Sequence, residues 1–448
     1  MWKTLLNLTH SQLGVFMAPL IFIAAMTGLL YALTPQIEQS IYRQQLFAVH
    51  QSEQEPQALS LQVKAAQQAL PDGATILAVR TPASADSTTR VLYQSAEDAV
   101  TSTAIFVNPY TLAIQGQLPV YGTSGVLPVR TFLDQLHRNL FLGEWGRLYS
   151  ELAASWLGIF TLTGLLQWWL KRKTIQQASH ERHTFIRWHY LTALLILPML
   201  LFLSLTGLTW SKWAGENIAQ IRHWLNSDTP SLNLQIAHVS QATAPNLHAE
   251  HHAMMQMSDA APQKLDLNQF DQIIAIARAN GLMASALQIK PSYDMHLAWK
   301  VEEMNHRHPI QVDALAVDMQ QHKVIDAVHF QDFPLSAKLT RWGVDMHIGV
   351  LFGWVNQLLL VISALGILAI ILLAYRAWWS YSRPIQTIQS FNENLKRLWQ
   401  QRNLKPLMLL SVAMVVLYCL VPIWVVSIVL FHAVFAMLQL YQHFKRPF

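Results

Sequence analysis

Residues 10–32 read HSQLGVFMAPLIFIAAMTGLLYA, and residues 189–210 read HYLTALLILPMLLFLSLTGLTW. Each stretch opens with a histidine and carries Thr-Gly at the same interval, as Thr27-Gly28 and Thr206-Gly207. Both stretches are apolar and long enough to cross the roughly 30 Å hydrocarbon core of a bilayer as helices. A titratable, metal-ligating side chain is costly beside hydrocarbon, so its matching position in two helices indicates a function.

The composition is that of a membrane protein. The 448 residues are 52% hydrophobic and 13% charged, against about 25% charged in soluble proteins. The apolar pattern predicts four spans and then a longer run, which Pro422 divides into a hairpin of two short helices, with one long tilted helix as the alternative. No small-residue cleavage site follows the first span, which favours an uncleaved anchor. The predicted spans are residues 13–34, 150–170, 190–211 and 349–375, and the hairpin is residues 406–441.

Basic residues concentrate in the short connections between the predicted spans. Residues 171–188 hold five Lys or Arg against one Glu, and residues 376–405 hold six against one. By the positive-inside rule, these connections and both termini face the cytoplasm, and the long connections 36–149 and 212–341 face outward. The net charge of +5 therefore reflects membrane topology. It is no argument for nucleic-acid binding, which needs a clustered basic surface.

The chain repeats one plan of span, long outward segment and second span. The first half covers residues 10–173 and the second half residues 187–379. His137 and His347 each begin the second helix of their half, and each is followed by a glycine at the same interval. Each outward segment is predicted to be a small α+β domain, because an amphipathic helix precedes three or four alternating strands. The fold class predicted is therefore a duplicated four-helix membrane core with a C-terminal hairpin and two outward α+β domains.

The four repeat-matched histidines fall into two layers under this topology. His10 and His189 enter their spans from the cytoplasmic side, and His137 and His347 precede theirs on the outer side. One such residue alone is most simply a structural histidine at the headgroup boundary, but the two-by-two pattern favours metal ligation. Because a four-helix bundle can bring two histidines to facing positions, each layer predicts a bis-histidyl haem b suited to electron transfer. For His137 this requires a bend near Gly143.

Other residues limit or extend this chemistry. The single cysteine, Cys419, excludes an Fe–S cluster and a Cys-rich zinc site on this chain. No Gly-rich dinucleotide motif is present, so electrons must come from a cytoplasmic reductase or a quinol. Haem propionates would favour cations near the membrane surface, although ordinary interfacial anchoring explains each candidate equally well. The candidates are Arg138, Arg147, Lys338 and Arg341 on the outer side and Arg187 and Lys3 on the inner side.

At these residues the chain resembles the PepSY-associated transmembrane family. The resemblance rests on His10-Ser-Gln-Leu-Gly, on Leu136-His137-Arg138 with Thr163-Gly164-Leu165, and on the histidines of the second half. It extends over residues 1–380, and the outward domains look like PepSY domains. It implies a b-haem protein of the ferric-siderophore reductase (FoxB-like) type in a bacterial inner membrane, which delivers electrons to a periplasmic ferric siderophore or other Fe(III) chelate. The usual Asp-Pro-x-Thr-Gly turn reads Asn108-Pro-Tyr-Thr-Leu112 and Asp318-Met-Gln-Gln-His322 here, which puts any shared ligand role of that turn in doubt.

Two other functions stay open from the sequence. A non-enzymatic sensor or regulator would use its PepSY domains to bind a periplasmic protein and its helices as anchors. A copper-handling protein would use the His/Met-rich stretch HAEHHAMMQM at 248–257, because imidazole and thioether ligands suit copper. The predicted layout is helix 1–35, outward domain 36–130, interfacial segment and helix 131–173, loop 174–188, helix 189–212, outward domain 213–340, helix 341–379, loop 380–405 and hairpin 406–441.

Overall fold

The structure, a computed structural model, describes residues 2–49, 54–95, 102–121, 125–177, 181–236, 265–380, 393, 412, 414, 415 and 417–444. The His/Met-rich stretch 248–257, most of the loop 380–405 and most of the first arm of the predicted hairpin lie outside these residues. The chain divides into two compact units. The helical unit contains Met1–Ala32, Leu133–Asn226 and Val355–Phe448, and the sheet unit contains Leu33–Phe132 and Ser227–Trp354.

The described elements alternate between long helices and groups of short strands. The helices are α1 (Trp2–Leu6), α2 (Leu13–Ala32), α3 (Thr34–Ile41), α4 (Arg43–Leu46), α5 (Leu59–Gln67), α6 (Pro128–Asn139), α7 (Gly143–Gln177), α8 (Glu181–Leu195), α9 (Leu197–Thr209), α10 (Trp213–Trp224), α11 (Gln269–Ala279), α12 (Leu335–His347), α13 (Trp354–Trp379) and α14 (Pro422–Phe444). The strands are β1 (Thr75–Arg80), β2 (Thr89–Gln94), β3 (Ser102–Val107), β4 (Ile114–Val120), β5 (Leu287–Lys290), β6 (Trp299–Glu303), β7 (Ala314–Asp318) and β8 (Lys323–Val328).

Among the described residues, two helices are long and apolar enough to cross a membrane. They are Thr4–Ala32 and Trp354–Trp379, and the bent pair α8 and α9 makes a third if it counts as one span. The predicted span 150–170 lies within α7, where Ser155, Thr161 and Gln167 reduce the apolar character of the helix. The predicted four-helix transmembrane core is therefore not confirmed in full.

The predicted span 190–211 is bent rather than straight. The helix breaks at Ile196, and its two parts, His183–Leu195 and Leu197–Thr209, differ in direction by 67°. Pro198 follows the break and has no backbone N–H to continue the hydrogen-bond ladder, which explains why the helix breaks here. Pro422 begins α14, and the hairpin of two short helices stays a prediction, because most of its first arm lies outside the described residues.

Small residues and a few polar contacts hold the helical unit together. Ser204 Oγ donates to the carbonyl oxygen of Ala154 at 2.8 Å, and a Cβ on Gly158 would lie 2.4 Å from that hydroxyl. Helices α7 and α9 therefore approach closely, as helices with small residues at their interface do. Trp156 of α7 is fully buried, and its Nε1 donates to Ser427 Oγ of α14 at 3.2 Å.

The sheet unit holds one eight-stranded antiparallel sheet in the order β4-β3-β2-β1-β5-β6-β7-β8. The predicted order of one helix and then strands occurs twice, as α5 with β1–β4 and α11 with β5–β8. The two predicted small α+β domains share one sheet, because Val79 of β1 pairs with Ile289 of β5. Strands β1 and β5 are the first strands of the two copies, and they pair antiparallel. A local two-fold axis therefore relates the copies.

One face of this sheet is covered by helices. Val63 of α5 and Phe270 of α11 are fully buried in a cluster with Val79, Val91 and Ile289 of the sheet. Each copy also turns between its third and fourth strands in the same way. Asn108 Oδ1 accepts the backbone N–H groups of Tyr110 and Thr111, as Asp318 Oδ1 does those of Gln320 and Gln321. Although both turn sequences differ from the usual PepSY turn, a side-chain oxygen caps the turn in each copy.

Candidate functional site

His10 lies on an irregular turn of the first helix. Residues Asn7–Gln12 are π-helical between α1 and α2, and single π-helical turns are frequent at functional sites. His10 Nδ1 lies 3.2 Å from Thr163 Oγ1, and the Thr163 hydroxyl donates to the carbonyl oxygen of Ile159 at 2.6 Å. Because the hydroxyl proton is already used, the oxygen accepts from Nδ1–H. The Nε2 atom of His10 therefore keeps its lone pair.

His189 has the same tautomer for a simpler reason. Its Nδ1 lies 2.9 Å from the backbone carbonyl oxygen of Ile370 on α13. A carbonyl oxygen only accepts, so Nδ1 must carry the proton and Nε2 the lone pair. Ligating histidines usually donate their second ring nitrogen to such an acceptor, which fixes the ring and raises its basicity.

The rings of His10 and His189 lie next to each other in the helical unit. Their centroids are 6.2 Å apart and their planes are 79° from parallel. Two imidazoles on one metal ion place their ring centres roughly 6 Å apart, because each metal–nitrogen bond is about 2 Å and each centre lies about 1.1 Å beyond its nitrogen. The separation therefore fits one iron between the two rings.

The surroundings of this pair are apolar and aromatic. Phe160 contacts His10 edge-on at 5.8 Å and Tyr190 contacts His189 at 5.5 Å between ring centroids. Both histidines are half-buried. Among the described residues, no group of three or more His, Cys, Asp or Glu side chains could hold a metal ion. Two imidazoles are too few for a protein-only site but fit a porphyrin, which supplies four further nitrogens.

His137 repeats the arrangement of His10 on another helix. Its Nδ1 lies 2.9 Å from Thr27 Oγ1, and the Thr27 hydroxyl donates to the carbonyl oxygen of Ile23 at 2.8 Å. The hydroxyl again accepts from Nδ1–H and leaves Nε2 with its lone pair. Burial lowers the pKa of His137, although Asp134 opposes this effect, so the ring is neutral at pH 7. Neutral imidazole is the form that ligates a metal.

Two Thr-Gly pairs of the sequence supply acceptors, Thr163-Gly164 for His10 and Thr27-Gly28 for His137. Beside Thr163, a Cβ on Gly164 would lie 2.6 Å from His10 Cε1. Beside Thr27, a Cβ on Gly28 would lie 3.2 Å from His137 Cε1. In each pair the threonine accepts the ring proton and the glycine leaves space for the ring. The sequence shows the pairs as repeats, but it does not show that each pair serves a histidine on a different helix.

His347 lies in the sheet unit, where it is the last residue of α12. Two residues before it, the buried Asp345 accepts from Arg341 Nε at 3.0 Å and has its Oδ1 atom 3.3 Å from His306 Nδ1. The backbone carbonyl of Asp345 also accepts the N–H groups of Val350 and Leu351. These contacts fix the turn after His347. Its pairing with His137 stays a prediction.

The cations predicted to meet propionates have varied surroundings. Arg138 Nε lies 3.8 Å from Asp134 Oδ2, and Arg147 Nη2 donates to the carbonyl oxygen of Trp210 at 2.9 Å. Arg187 is exposed, and Arg341 is held by Asp345 and His306. Lys338 Nζ donates to the carbonyl oxygen of Gln331 at 2.6 Å, and the Lys3 side chain lies outside the described residues. A propionate role stays a prediction for each.

Comparison with known proteins shows the family of this chain. No curated protein matches it. A family profile described as "PepSY-associated TM region" matches residues 8–380, which is most of the chain and includes all four histidines. The C-terminal helix α14 lies outside the match. The chain therefore belongs to the PepSY-associated transmembrane family.

Proposed function

We propose that the chain is an inner-membrane haem b reductase that carries electrons outward to Fe(III) held by a periplasmic siderophore or another chelate. The inner haem would be held by His10 and His189 and the outer haem by His137 and His347. Bound haem would supply a one-electron redox centre with no open iron position. Siderophores bind Fe(III) far more tightly than Fe(II), so reduction would release the metal.

The observation that carries this proposal is the pairing of His10 with His189. Their ring centroids are 6.2 Å apart, and both Nδ1 atoms are already hydrogen-bonded, so both Nε2 atoms are left as ligands. A purely structural pair of histidines has no reason to leave both Nε2 lone pairs without a use at this spacing. Burial among Phe160, Tyr190 and apolar neighbours would keep water from the iron.

The direction of electron flow follows from the charge pattern of the sequence. Residues 171–188 and 376–405 are basic and would face the cytoplasm, with both termini. The sheet unit would then face the periplasm, where the ferric chelate is met. The electron donor would be a cytoplasmic reductase or a quinol, because the chain has no Gly-rich dinucleotide motif of its own.

A stopped-flow experiment with the purified protein in detergent tests the proposal. The protein is reduced, freed of excess reductant and mixed with an Fe(III) chelate while a ferrous-specific dye traps Fe(II). We expect haem reoxidation and Fe(II) formation with equal numbers of electrons. Reduced protein that is not reoxidised by any ferric chelate would contradict the proposal.

Variants separate ligation from other roles. His189→Ala should remove the inner haem, keep the outer one and abolish electron delivery from the cytoplasmic side. His322→Asn is the matched control, because His322 is exposed on a turn with φ of +53°, which asparagine tolerates. The sensor alternative would be favoured if the purified wild-type protein were colourless and the His189→Ala change caused no loss of function. Loss of copper tolerance alone on deletion of residues 248–257 would favour copper handling.

A further inference from the structure

The second face of the sheet, opposite α5 and α11, carries a row of polar side chains across its four central strands, next to a buried apolar cluster that includes Ala78, Leu92 and Phe106. Val79, Ile289 and Val301 point toward the helices and are fully buried. Side chains alternate along a strand, so the neighbours of these residues point the other way. The cross-strand partners on this second face are Arg80 with Arg90, Arg80 with Gln288, Gln288 with Glu302 and Lys290 with Lys300.

Two of these partners are like-charged pairs at equivalent places of the repeat. Arg80 of β1 lies opposite Arg90 of β2, and Lys290 of β5 lies opposite Lys300 of β6. The pairs thus join the first and second strands of each copy. Like charges directly opposite each other destabilise a sheet. Both copies therefore place two cations side by side on this face.

Hydrogen bonds connect the two pairs into one network. Arg80 Nε donates to Gln288 Oε1 at 2.6 Å, and Gln288 Nε2 donates to Glu302 Oε1 at 2.8 Å. Lys300 Nζ lies 2.5 Å from Glu302 Oε2 and Lys290 Nζ lies 3.5 Å from Glu302 Oε1. The Glu302 carboxylate therefore forms ion pairs with both lysines.

The charges of this network are shifted by their neighbours. Burial and the charge of Arg90 lower the pKa of Arg80 to about 10, so it remains charged at pH 7. Burial alone would raise the pKa of Glu302, but Lys300 and Lys290 outweigh it and hold this pKa below its ordinary value. Beside Arg90, Arg130 pairs with Glu38 at 3.4 Å. The network and its neighbours thus hold two carboxylates, Glu302 and Glu38, against five cations, which are Arg80, Arg90, Arg130, Lys290 and Lys300.

The lysine pair is the accessible part of the network. About 30% of the Lys290 side chain and 28% of the Lys300 side chain are exposed, and Glu302 is 20% exposed between them. Arg90 stacks over Phe106 with its guanidinium carbon 5.5 Å from the ring centroid, which orders that cation. Ordered and half-buried cations bind carboxylates more strongly than fully solvated ones.

We propose that this polar sheet face, formed by Arg80, Arg90, Gln288, Lys290, Lys300 and Glu302, binds an anionic polycarboxylate chelate of Fe(III). The excess of cations matches a polyanion, and the paired strands present cations at spacings that several carboxylates of one ligand can share. The assignment of iron to the ligand rests on the proposed reductase function. The anionic class of the ligand rests on the sheet face alone.

The test measures binding without electron transfer. Full-length protein in detergent is titrated with Ga(III)–citrate, a redox-inert analogue of the ferric chelate, by calorimetry at several salt concentrations. We expect saturable binding that weakens with salt and falls about tenfold in either Lys290→Gln or Lys300→Gln, since each removes a charge-assisted contact. Lys64→Gln is the matched control, because Lys64 is exposed on α5 and should leave binding unchanged.

Folding is checked on the same variants. Each single lysine change leaves Glu302 one lysine partner and relieves the like-charge pair, so the unfolding temperature should not fall. The proposal would be overturned if Ga(III)–citrate did not bind, or if it bound the wild type and both lysine variants equally. Equally tight binding of a neutral tris-hydroxamate chelate would also overturn it. Reduction of ferric citrate at unchanged rates in the lysine variants would leave the reductase function intact while excluding this face as its binding site. The binding of Ga(III)–citrate is also measured in nanodiscs. If it is lost in anionic lipid but kept in zwitterionic lipid, the face binds lipid and the proposal is overturned.

Discussion

The chemistry of the helical unit depends on which nitrogen of each histidine is free. His10, His137 and His189 each have Nδ1 within 3.2 Å of an oxygen that can only accept from it. Their Nε2 atoms are therefore fixed as lone-pair donors before any ligand arrives. Such preorganisation lowers the cost of binding a metal centre, because the rings need not change tautomer or rotate.

The first prediction concerns the threonine that fixes His10. Thr163→Val removes the acceptor of Nδ1–H, so haem affinity at the inner site should fall roughly 10- to 100-fold. Haem is titrated into apoprotein and followed by its absorption. Thr161→Val is the matched control, because Thr161 lies on the same helix and its hydroxyl also donates to the carbonyl four residues back, at 2.7 Å. Equal haem affinity in both variants would show that the hydroxyl has no role in ligation.

The second prediction concerns the glycines beside the imidazoles. A Cβ on Gly164 would lie 2.6 Å from His10 Cε1, whereas one on Gly28 would lie 3.2 Å from His137 Cε1. Gly164→Ala should therefore displace its ring and lose more haem than Gly28→Ala. Gly14→Ala should lose none, since nothing lies within 4 Å of a Cβ there. Haem per chain in the three purified variants gives the order, and a different order contradicts the placement of the rings.

At the scale of helices, irregular backbone positions the two histidines that we propose as haem ligands. His10 is in the π-helical turn Asn7–Gln12, and His189 lies on α8 shortly before the bend at Ile196. The alternating residues and turn signals of the sequence suffice to predict the strands and the amphipathic helices. The π-helical turn could not be predicted, because it depends on packing against α7. Pro198 marks a place where the helix can bend, but Pro19 lies inside α2 without ending it, so a proline by itself does not predict the bend.

The third prediction concerns the helix end at α10. Glu151 of α7 is fully buried, and its carboxylate accepts the N–H groups of Trp213 and Ala214 at 3.0 and 3.2 Å. Glu151→Ala leaves two buried donors without this acceptor and should destabilise the protein by roughly 2 kcal/mol. Glu144→Gln on the same helix removes only an exposed ion pair with Lys212 and should leave the unfolding temperature unchanged. Equal thermal unfolding of both variants would refute the capping role.

At the scale of the molecule, the internal repeat is visible in the sheet. Each copy contributes one helix and four strands, and β1 meets β5 at the local two-fold axis. The sequence predicts the repeat, because the order of helix and strands is local. It does not predict that the copies share a sheet, because nothing in a strand's own pattern tells which free edge it pairs with.

The candidate site was only partly predictable for a similar reason. His10, His137 and His189 stand out as histidines at matched points of apolar segments. Their acceptors lie 110 or more positions away in the chain, as for Thr27 with His137. Contacts of that separation depend on how the helices pack, which periodicity does not encode.

The fourth prediction concerns membrane topology. In a Cys419→Ala background, Gln67→Cys on α5 should react with an impermeant maleimide added outside intact cells with a permeable outer membrane. Ser380→Cys, after α13, should react only once the inner membrane is opened. Both positions are exposed, so reactivity reports the side of the membrane. The reverse labelling pattern would contradict the orientation inferred from the basic loops.

The measurement that tests the central claim most directly is spectroscopy of the detergent-purified protein from haem-replete cells. Haem is counted per chain and the oxidised protein is examined by electron paramagnetic resonance. The account predicts a low-spin bis-imidazole b-haem that His189→Ala removes. Because the planes of His10 and His189 are 79° from parallel, its signal should be the strongly anisotropic one of near-perpendicular ligands. A colourless preparation would contradict the account, as would a His189→Ala variant with the same haem content and the same signal as the wild type.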